Sequence, residues 1–352
     1  MTDETSVWEA EADTDLTDFS GRQAPKKLMF TLTGKCNLRC WHCVRGVFDI
    51  AAEQTPKEVV SYVVELLLPV VRAVRLGGTD LGEQLTAKHF NYFLEQILDY
   101  PDLAVEIITN LTLMDEEKAE LMARACTHVF LSLEGVGEAF ERNRHFPWQT
   151  VEENLRQLSA ARDRIPESGM KISAFVTCFR DNLDDLLPIL DLVDLGVDHF
   201  KFHPFYPNVE EQDSQSLRHY PRETRDTFAR ILAVASERGL EVGVPPSLAK
   251  PGHFAAKLEA EEGSGGAVLQ DDGSQRAPWI CPFPFETVSI LSDGQVRTCC
   301  EDITFGNLGA EQSESVEMLW HGNEWRELRR SVATGEWSGA CVDCGFRQTK
   351  IK

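Results

Sequence analysis

The chain has 352 residues, 42% hydrophobic and 26% charged, with 57 Asp and Glu against 35 Lys and Arg for a formal charge of −22. It exceeds the ~250–300 residues at which one core stops growing, so a large domain and a smaller one are expected. So acidic a surface disfavours both phosphate backbones and anionic membranes, which excludes nucleic-acid binding as a first reading. No apolar run reaches the ~18–20 residues of a membrane span, and the acidic N-terminus lacks the apolar core of a signal peptide. A cytoplasmic protein is expected.

Residues 1–25 read as a mobile acidic arm. Beyond them, short β-rich runs at Lys27–Leu32, Ala73–Leu76, Ala104–Ile108, His128–Leu133, Lys171–Cys178, His199–Phe202 and Leu240–Val244 alternate with helical stretches. The helices are predicted at Thr55–Leu68, Ala87–Tyr100, Asp115–Ala125, Thr150–Arg162, Leu183–Leu195 and Arg222–Arg238, the first with Thr55 as N-cap and Pro56 at its first position. Repeated βα units predict a parallel sheet with right-handed crossovers, here an α/β fold with a partial (β/α)6 TIM-like barrel over 26–245. The Gly- and Asp-rich stretch 246–280 reads as a flexible linker. In 281–352, Thr287–Leu291 and Gln295–Thr298 flank Ser292-Asp293-Gly294, a hairpin signal. Short helices near Ser315–His321 and Glu324–Val332 complete a small C-terminal β-hairpin/helix domain, of a size that needs a metal staple.

Strand alternation places Val105, Ile107, Val129, Leu131, Leu133, Phe200 and Phe202 against the helices. Glu106, Asn110, Ser132, Glu134, Thr177, His199, Lys201 and His203 then face the barrel lumen, which predicts a polar ligand near the C-terminal strand ends. Cys126 and Cys178 read as buried structural thiols, with hydrogen-atom donation as the sharper alternative for Cys178.

The cysteines carry the chemistry. In a reducing compartment, clustered thiols bind metal rather than pair as disulfides. Cys36, Cys40 and Cys43 stand in C-x3-C-x2-C spacing after the first strand. Three thiolates hold three irons of a [4Fe–4S] cube whose usual complement is four, leaving one iron open to a small molecule. Cys299-Cys300 and Cys341-x2-Cys344, with Cys281 upstream, form a second set of clustered cysteines; adjacent strand residues point to opposite faces, so only one of Cys299 and Cys300 should bind. Zinc is the alternative occupant of this second set.

This pattern resembles the radical S-adenosylmethionine (SAM) superfamily, with a C-terminal region similar to the SPASM/Twitch group. The segment Arg75-Leu76-Gly77-Gly78-Thr79-Asp80-Leu81-Gly82-Glu83 resembles the family's Gly-Gly-Glu-Pro loop, though Thr79 follows the glycine pair and no proline follows Glu83. Leu131-Ser132-Leu133-Glu134-Gly135 resembles its Ser-x-Asp-Gly segment, and Glu141-Arg142-Asn143-Arg144 the segment whose arginine meets the SAM carboxylate. The resemblance implies that Gly77, Gly78, Gly82, Glu83, Asn110, Ser132 and Arg144 contact SAM. It implies a SAM-binding cluster on Cys36, Cys40 and Cys43, and one auxiliary [4Fe–4S] cluster on Cys281, Cys299, Cys341 and Cys344. The implied reaction is reductive cleavage of SAM to a 5′-deoxyadenosyl radical that abstracts a substrate hydrogen atom, with a flavodoxin- or ferredoxin-type donor. Lys201, His203 and Glu134 are the candidates for substrate contact or proton transfer. A fully ligated auxiliary cluster implies an oxidoreductase: dehydrogenation or oxidative bond formation on a small polar metabolite such as a sugar, cyclitol or amino-acid derivative. Maturation of a ribosomally made peptide by cross-linking or epimerisation is one alternative; a non-catalytic iron–sulfur or zinc scaffold is another.

Overall fold

Seven strands follow one another around the barrel wall: β1 (Lys27–Phe30), β2 (Ala73–Leu76), β3 (Ala104–Thr109), β4 (His128–Leu133), β5 (Lys171–Cys178), β6 (His199–Pro204) and β7 (Glu241–Gly243). Each pairs in parallel with the next in chain order. The computed structural model describes residues 23–49, 52–77, 82–245, 248, 280–299, 303–309, 315–337, 341–342 and 344. Among these, no helix is long and apolar enough to cross a membrane. Most of the arm 1–25 and of the linker 246–280 lies outside the described residues.

The crossover helices are α1 (Val44–Val47), α2 (Lys57–Tyr62), α3 (Phe90–Ile97), α4 (Glu116–Ala125), α5 (Glu138–Arg144), α6 (Trp148–Arg164) and α7 (Pro221–Arg238). In α3, Phe90, Phe93, Leu94 and Ile97 are buried, an i, i+3, i+4, i+7 stripe laid on the sheet. Asp115 caps α4 by accepting from Lys118 N at 2.9 Å, and Gly239 ends α7 in the left-handed region at φ 66°.

Two helical expectations change. Pro56, not Thr55, occupies the N-cap of α2; the Thr55 hydroxyl instead donates to Thr31 O at 2.6 Å, because a strand-end carbonyl claims it first. The predicted helix at Leu183–Leu195 is two 3₁₀ segments, Arg180–Asp185 and Leu187–Leu195. Pro188, at the start of the second, has no N–H to offer.

The alternation holds. Val105, Ile107, Val129, Leu131, Leu133, Phe200 and Phe202 all join the core under the helices, as do Ile172, Ala174, Val176 and Cys178. The other face carries cross-strand polar pairs: Arg75 to Glu106 at 2.6 and 2.9 Å, His128 Nε2 to Ser173 Oγ at 2.6 Å, and Thr177 Oγ1 to His203 Nε2 at 3.0 Å.

The C-terminal region continues the sheet. Strand β8 (Thr287–Ile290) pairs in parallel with β1. Antiparallel β9 (Gln295–Arg297) and β10 (Thr304–Asn307) follow, giving a ten-stranded order β10-β9-β8-β1-β2-β3-β4-β5-β6-β7. Gly294 turns the predicted hairpin at φ 84°, where a Cβ would stand 2.9 Å from Asn307 Oδ1. Helices α8 (Phe283–Glu286), α9 (Val316–Trp320) and α10 (Asn323–Thr334) build a local aromatic core. Arg329, fully buried, lies 4.3 Å over the Trp320 ring and donates to Pro284 O (2.8 Å) and Trp320 O (2.9 Å). A buried guanidinium needs such acceptors, since an unmatched one costs several kcal/mol. The Lys27–Glu286 ion pair (3.2 Å) and the Val316 N–H donated to Tyr62 Oη (2.9 Å) tie this region to the barrel.

Candidate active site

The segment after β1 folds back across the C-terminal end of the sheet and carries Cys36, Cys40 and Cys43 as free thiols. Cys43 N donates to Cys40 O (3.1 Å) and Gly46 N to Cys43 O (2.8 Å). A Cβ on Gly46 would lie 2.1 Å from Cys40 O, so only glycine permits this close return of the backbone. Burial pushes the Cys40 thiol up to about 12 and raises Cys36 as well, with smaller contributions from neighbouring thiols and carboxylates. A cationic iron cluster supplies the charge that takes such thiols as thiolates. An all-sulfur donor set of three on one loop fits an iron–sulfur cube with one open iron. Among the described residues, no group of three His, Cys, Asp or Glu side chains converges at the spacing of a single metal ion.

A buried charge network flanks the loop. Glu134, at the end of β4, receives both Arg144 Nε (2.6 Å) and Nη2 (2.7 Å), and its Oε1 lies 3.1 Å from His42 Nε2. Burial alone would raise the Glu134 carboxyl; Arg144 and His42 outweigh it and hold it well below the usual carboxylate range. Glu134 was expected to touch substrate or move protons. Both of its oxygens are instead engaged, Oε2 by Arg144 Nε and Oε1 by Arg144 Nη2 and His42 Nε2, so the carboxylate links Arg144 to the cysteine loop. Arg144 is positioned by the same bond. Neighbouring Trp41 packs edge-on against Phe179 (4.9 Å) and Phe205 (5.5 Å) and donates to Asn143 Oδ1 (3.0 Å). From the loop after β6, Gln212 Nε2 donates to Trp41 O (2.6 Å) and Asn208 Nδ2 to His42 O (3.0 Å).

On the other side of Cys36 lies Glu83, 3% exposed. Its Oε1 accepts from the Thr109 hydroxyl (2.7 Å) and Leu85 N (3.1 Å), and its Oε2 from Asn110 N (2.6 Å). Burial raises its carboxyl, opposed by these donors. Gly82 approaches the cluster loop so closely that a Cβ would sit 1.8 Å from Thr33 O. Gly77 ends β2 at φ 82°. Gly78 lies outside the described residues. Asn110 sits at the end of β3 with its side chain against Asn37, Thr112 and Cys36.

The strand ends carry further polar side chains on the face opposite the helices. Ser132 is half-buried. His203 stacks on Phe175 (4.1 Å), its Nε2 bonded to Thr177 and its buried Nδ1 without a partner among the described residues. Burial pushes this imidazole down to about 4, so it is neutral at physiological pH. Lys201 lies deeper, 8% exposed, with its ammonium 5.8 Å from the centre of the Phe130 ring. Cys178 is fully buried, and its thiol donates to Val176 O at 3.5 Å, the setting of a structural thiol. Cys126 is likewise buried in the core and pushed up to about 12.

Cys281, Cys299, Cys341 and Cys344 are half-buried in the C-terminal region; Cys300 lies outside the described residues. Reading the sequence missed His42, Asn37, Thr112 and Asn182. Asn37 and His42, each lying between two cysteines of the triad, carried a local signal.

The Radical SAM superfamily model matches residues 30–193, and the SPASM model, an iron-sulfur cluster-binding domain, matches 281–345. No curated protein matches the chain. Among solved structures, SuiB of Streptococcus suis bound to its precursor peptide SuiA is 16% identical, covers 87% of this chain and 67% of its own, and gives a TM-score of 0.57. The polyhistidine-tagged anSMEcpe with bound AdoMet is 18% identical, with 93% of this chain and 85% of its own covered, at a TM-score of 0.62. These likenesses establish a shared fold. The radical SAM domain brings SAM and a [4Fe–4S] cluster, and the SPASM domain brings auxiliary iron–sulfur. The chain is an enzyme of the radical SAM superfamily with a C-terminal SPASM domain.

Proposed function

We propose that the enzyme abstracts a hydrogen atom from a C–H bond of a polar substrate held in the barrel mouth, and that the outcome is oxidation: dehydrogenation or oxidative bond formation on a small polar metabolite. The observation that carries this reading is the free-thiol loop Cys36–Cys43, set after β1 of a barrel whose strand ends carry the polar residues Ser132, Thr177, Lys201 and His203. When bound, the cluster and SAM supply one-electron cleavage of SAM and hydrogen-atom abstraction, chemistry the protein directs rather than performs.

The chain's own groups have distinct tasks. Cys36, Cys40 and Cys43 hold the SAM-site cluster. Gly82 and Glu83 form the wall beside Cys36, and Arg144 supplies a guanidinium fixed by Glu134 for a ligand carboxylate. Phe179 and Phe205, packed on Trp41, exclude water from one side of the loop. The neutral His203 ring offers Nδ1 to a substrate hydroxyl or amine, and Thr177 fixes its orientation. Lys201 supplies a cation deeper in the barrel. Cys281, Cys299, Cys341 and Cys344 hold one auxiliary cluster, which suits removal of a second electron. A flavodoxin- or ferredoxin-type protein is the proposed reductant.

A second reading, maturation of a ribosomally made peptide, is favoured by two neighbours of similar fold: SuiB, solved with its precursor peptide, and anSMEcpe, solved with the Cp18Cys peptide. Anaerobic reconstitution with dithionite and SAM, with 5′-deoxyadenosine measured by chromatography, tests both. Deuterated cyclitols, sugars and amino-acid derivatives form one arm and encoded precursor peptides the other. Deuterium in 5′-deoxyadenosine from the first arm supports the metabolite reading, and from the second alone the peptide reading. No 5′-deoxyadenosine in either arm counts against an enzyme of this type.

A further inference from the structure

Of the three thiols in the cluster loop, only Cys36 receives N–H donors at its sulfur among the described residues: Leu38 N at 3.4 Å and Asn110 Nδ2 at 4.0 Å. The second donor comes from a residue 74 positions away. We infer that the Asn110 carboxamide is a positioning residue for the SAM-site cluster, holding Cys36 and raising the cluster's reduction potential through an N–H···S hydrogen bond. This rests on the proposed reading of Cys36 as a cluster ligand.

The orientation of the amide follows from its partners. Asn110 Oδ1 accepts from Thr112 N (2.9 Å) and from the Thr112 hydroxyl (2.7 Å). A backbone N–H is an obligatory donor, so the carbonyl end of the amide must face Thr112, and the NH2 end must face the cluster loop. One of its hydrogens goes to Asn37 Oδ1 (3.2 Å), and the other points toward Cys36. Asn37 Nδ2 in turn donates to Thr112 Oγ1 (2.8 Å). Asn110, Asn37 and Thr112 thus form a closed ring of side chains, two from the barrel and one from the cluster loop.

The backbone beneath this ring is held in an uncommon conformation. Leu111, fully buried, has φ 60°, a left-handed geometry that is sterically unfavourable for a residue with a Cβ. It is pinned at both ends: Leu111 N donates to Thr109 Oγ1 (3.0 Å), and Asn154 Nδ2 on α6 donates to Leu111 O (2.8 Å). Glu83 holds the preceding N–H of Asn110 at 2.6 Å. These side chains therefore fix a strained turn whose consequence is to place one amide beside one sulfur. An N–H donor at a cluster sulfur disperses negative charge and favours the reduced state, so potentials rise with such bonds.

The test uses reconstituted full-length enzyme and two readouts independent of turnover. In Asn110→Leu with full iron and sulfide content, a redox titration followed by EPR is expected to place the SAM-site cluster at a more negative midpoint than in wild type, with the auxiliary cluster unmoved. Resonance Raman in H2O and D2O is expected to show an isotope-sensitive Fe–S(Cys) stretch in wild type whose shift is smaller in Asn110→Leu, where only the Leu38 N–H donor to Cys36 remains. An unmoved midpoint, or an isotope shift undiminished in the variant, overturns the inference. Should Asn110→Leu lose its cluster, the near-isosteric Asn110→Asp, which keeps Oδ1 for Thr112 N and removes the N–H, decides by the same spectrum: a diminished isotope shift supports the bond, an undiminished one removes it. Cys36→Ala separates the two layers. Retention of all SAM-site iron there defeats the ligand reading itself, whereas loss of that iron beside an unmoved midpoint in Asn110→Leu defeats only the hydrogen bond.

Discussion

Glu134→Gln is the perturbation whose cost follows most directly from the structure. Glu134 is 1% exposed and faces an Arg144 side chain that is 6% exposed, across contacts of 2.6 and 2.7 Å. The substitution keeps the shape but leaves a buried guanidinium opposite a neutral amide that can accept through only one oxygen. Removing one partner of a buried, hydrogen-bonded ion pair costs about 3–5 kcal/mol. With an unfolding entropy of about 2.1 cal/mol/K per residue, a chain of 352 residues unfolding as one unit loses about 4–7 °C in Tm. The sign in acid is set by the depressed carboxyl. A carboxylate whose folded pKa lies below its unfolded value of about 4.3 contributes fully above that value. Its contribution is lost only as pH falls toward the folded pKa. The difference between wild type and Glu134→Gln is therefore level from pH 5 to 8. Thermal unfolding by circular dichroism across that range, with Arg144→Met and the double variant completing a cycle, measures it. The double variant is expected to recover most of the loss. A cost below 1 kcal/mol, or two additive single costs, refutes the reading of Glu134 as a clamp on Arg144.

The remaining predictions concern other parts of the molecule. The folded-state pKa of His203 is lowered to about 4 from 6.5. The unfolded chain therefore takes up this proton first as pH falls, and stability declines from about pH 6.5 to 4 by up to about 3 kcal/mol. His203→Gln should flatten that slope in denaturant titrations, and an unchanged slope contradicts the buried neutral ring. Gly82→Ala places a methyl on Thr33 O, where the built Cβ stands at 1.8 Å. A loss of at least about 3 kcal/mol and poor iron retention are expected, and a fully stable, iron-loaded variant contradicts the close approach. Arg329→Leu strands the Pro284 and Trp320 carbonyls. It should cost about 2–5 kcal/mol, read by denaturant unfolding through the fluorescence of the adjacent Trp320 and Trp325.

Much of the barrel is legible because its signal is local. His128–Leu133 and Lys171–Cys178 alternate, and both strands have the bounds read from the sequence. The same alternation separates Phe200 and Phe202 from the lumen-facing Lys201 and His203. Pairing is less legible. Nothing in Thr287–Ile290 states that it will lie parallel to β1 rather than close a separate domain, since periodicity reports faces, not neighbours. The 3₁₀ turn at Leu187–Leu195 carries the same apolar spacing as an α-helix. In the site, Cys36, Cys40 and Cys43 declare themselves by spacing, whereas Asn37, Thr112 and Asn182 act through tertiary contacts. Asn182 Nδ2, for example, donates to Glu134 O at 2.7 Å across 48 residues. A leucine at φ 60° has no sequence signature at all. Glu134 has a readable position at a strand end, but Arg144 and His42, the two side chains that engage it, come from other segments.

The central claim is that two cysteine sets hold two iron–sulfur cubes, one open and one closed. Its most direct test is iron, sulfide and zinc analysis of anaerobically reconstituted wild type, a Cys36/Cys40/Cys43→Ala triple variant and a Cys281/Cys299/Cys341/Cys344→Ala quadruple variant, paired with Mössbauer spectra. The account predicts about eight irons per chain in wild type and about four in each variant, with a SAM-responsive spectrum only where the triad is intact. About four irons plus one zinc in wild type, or a triple variant that still carries a SAM-responsive cluster, contradicts it.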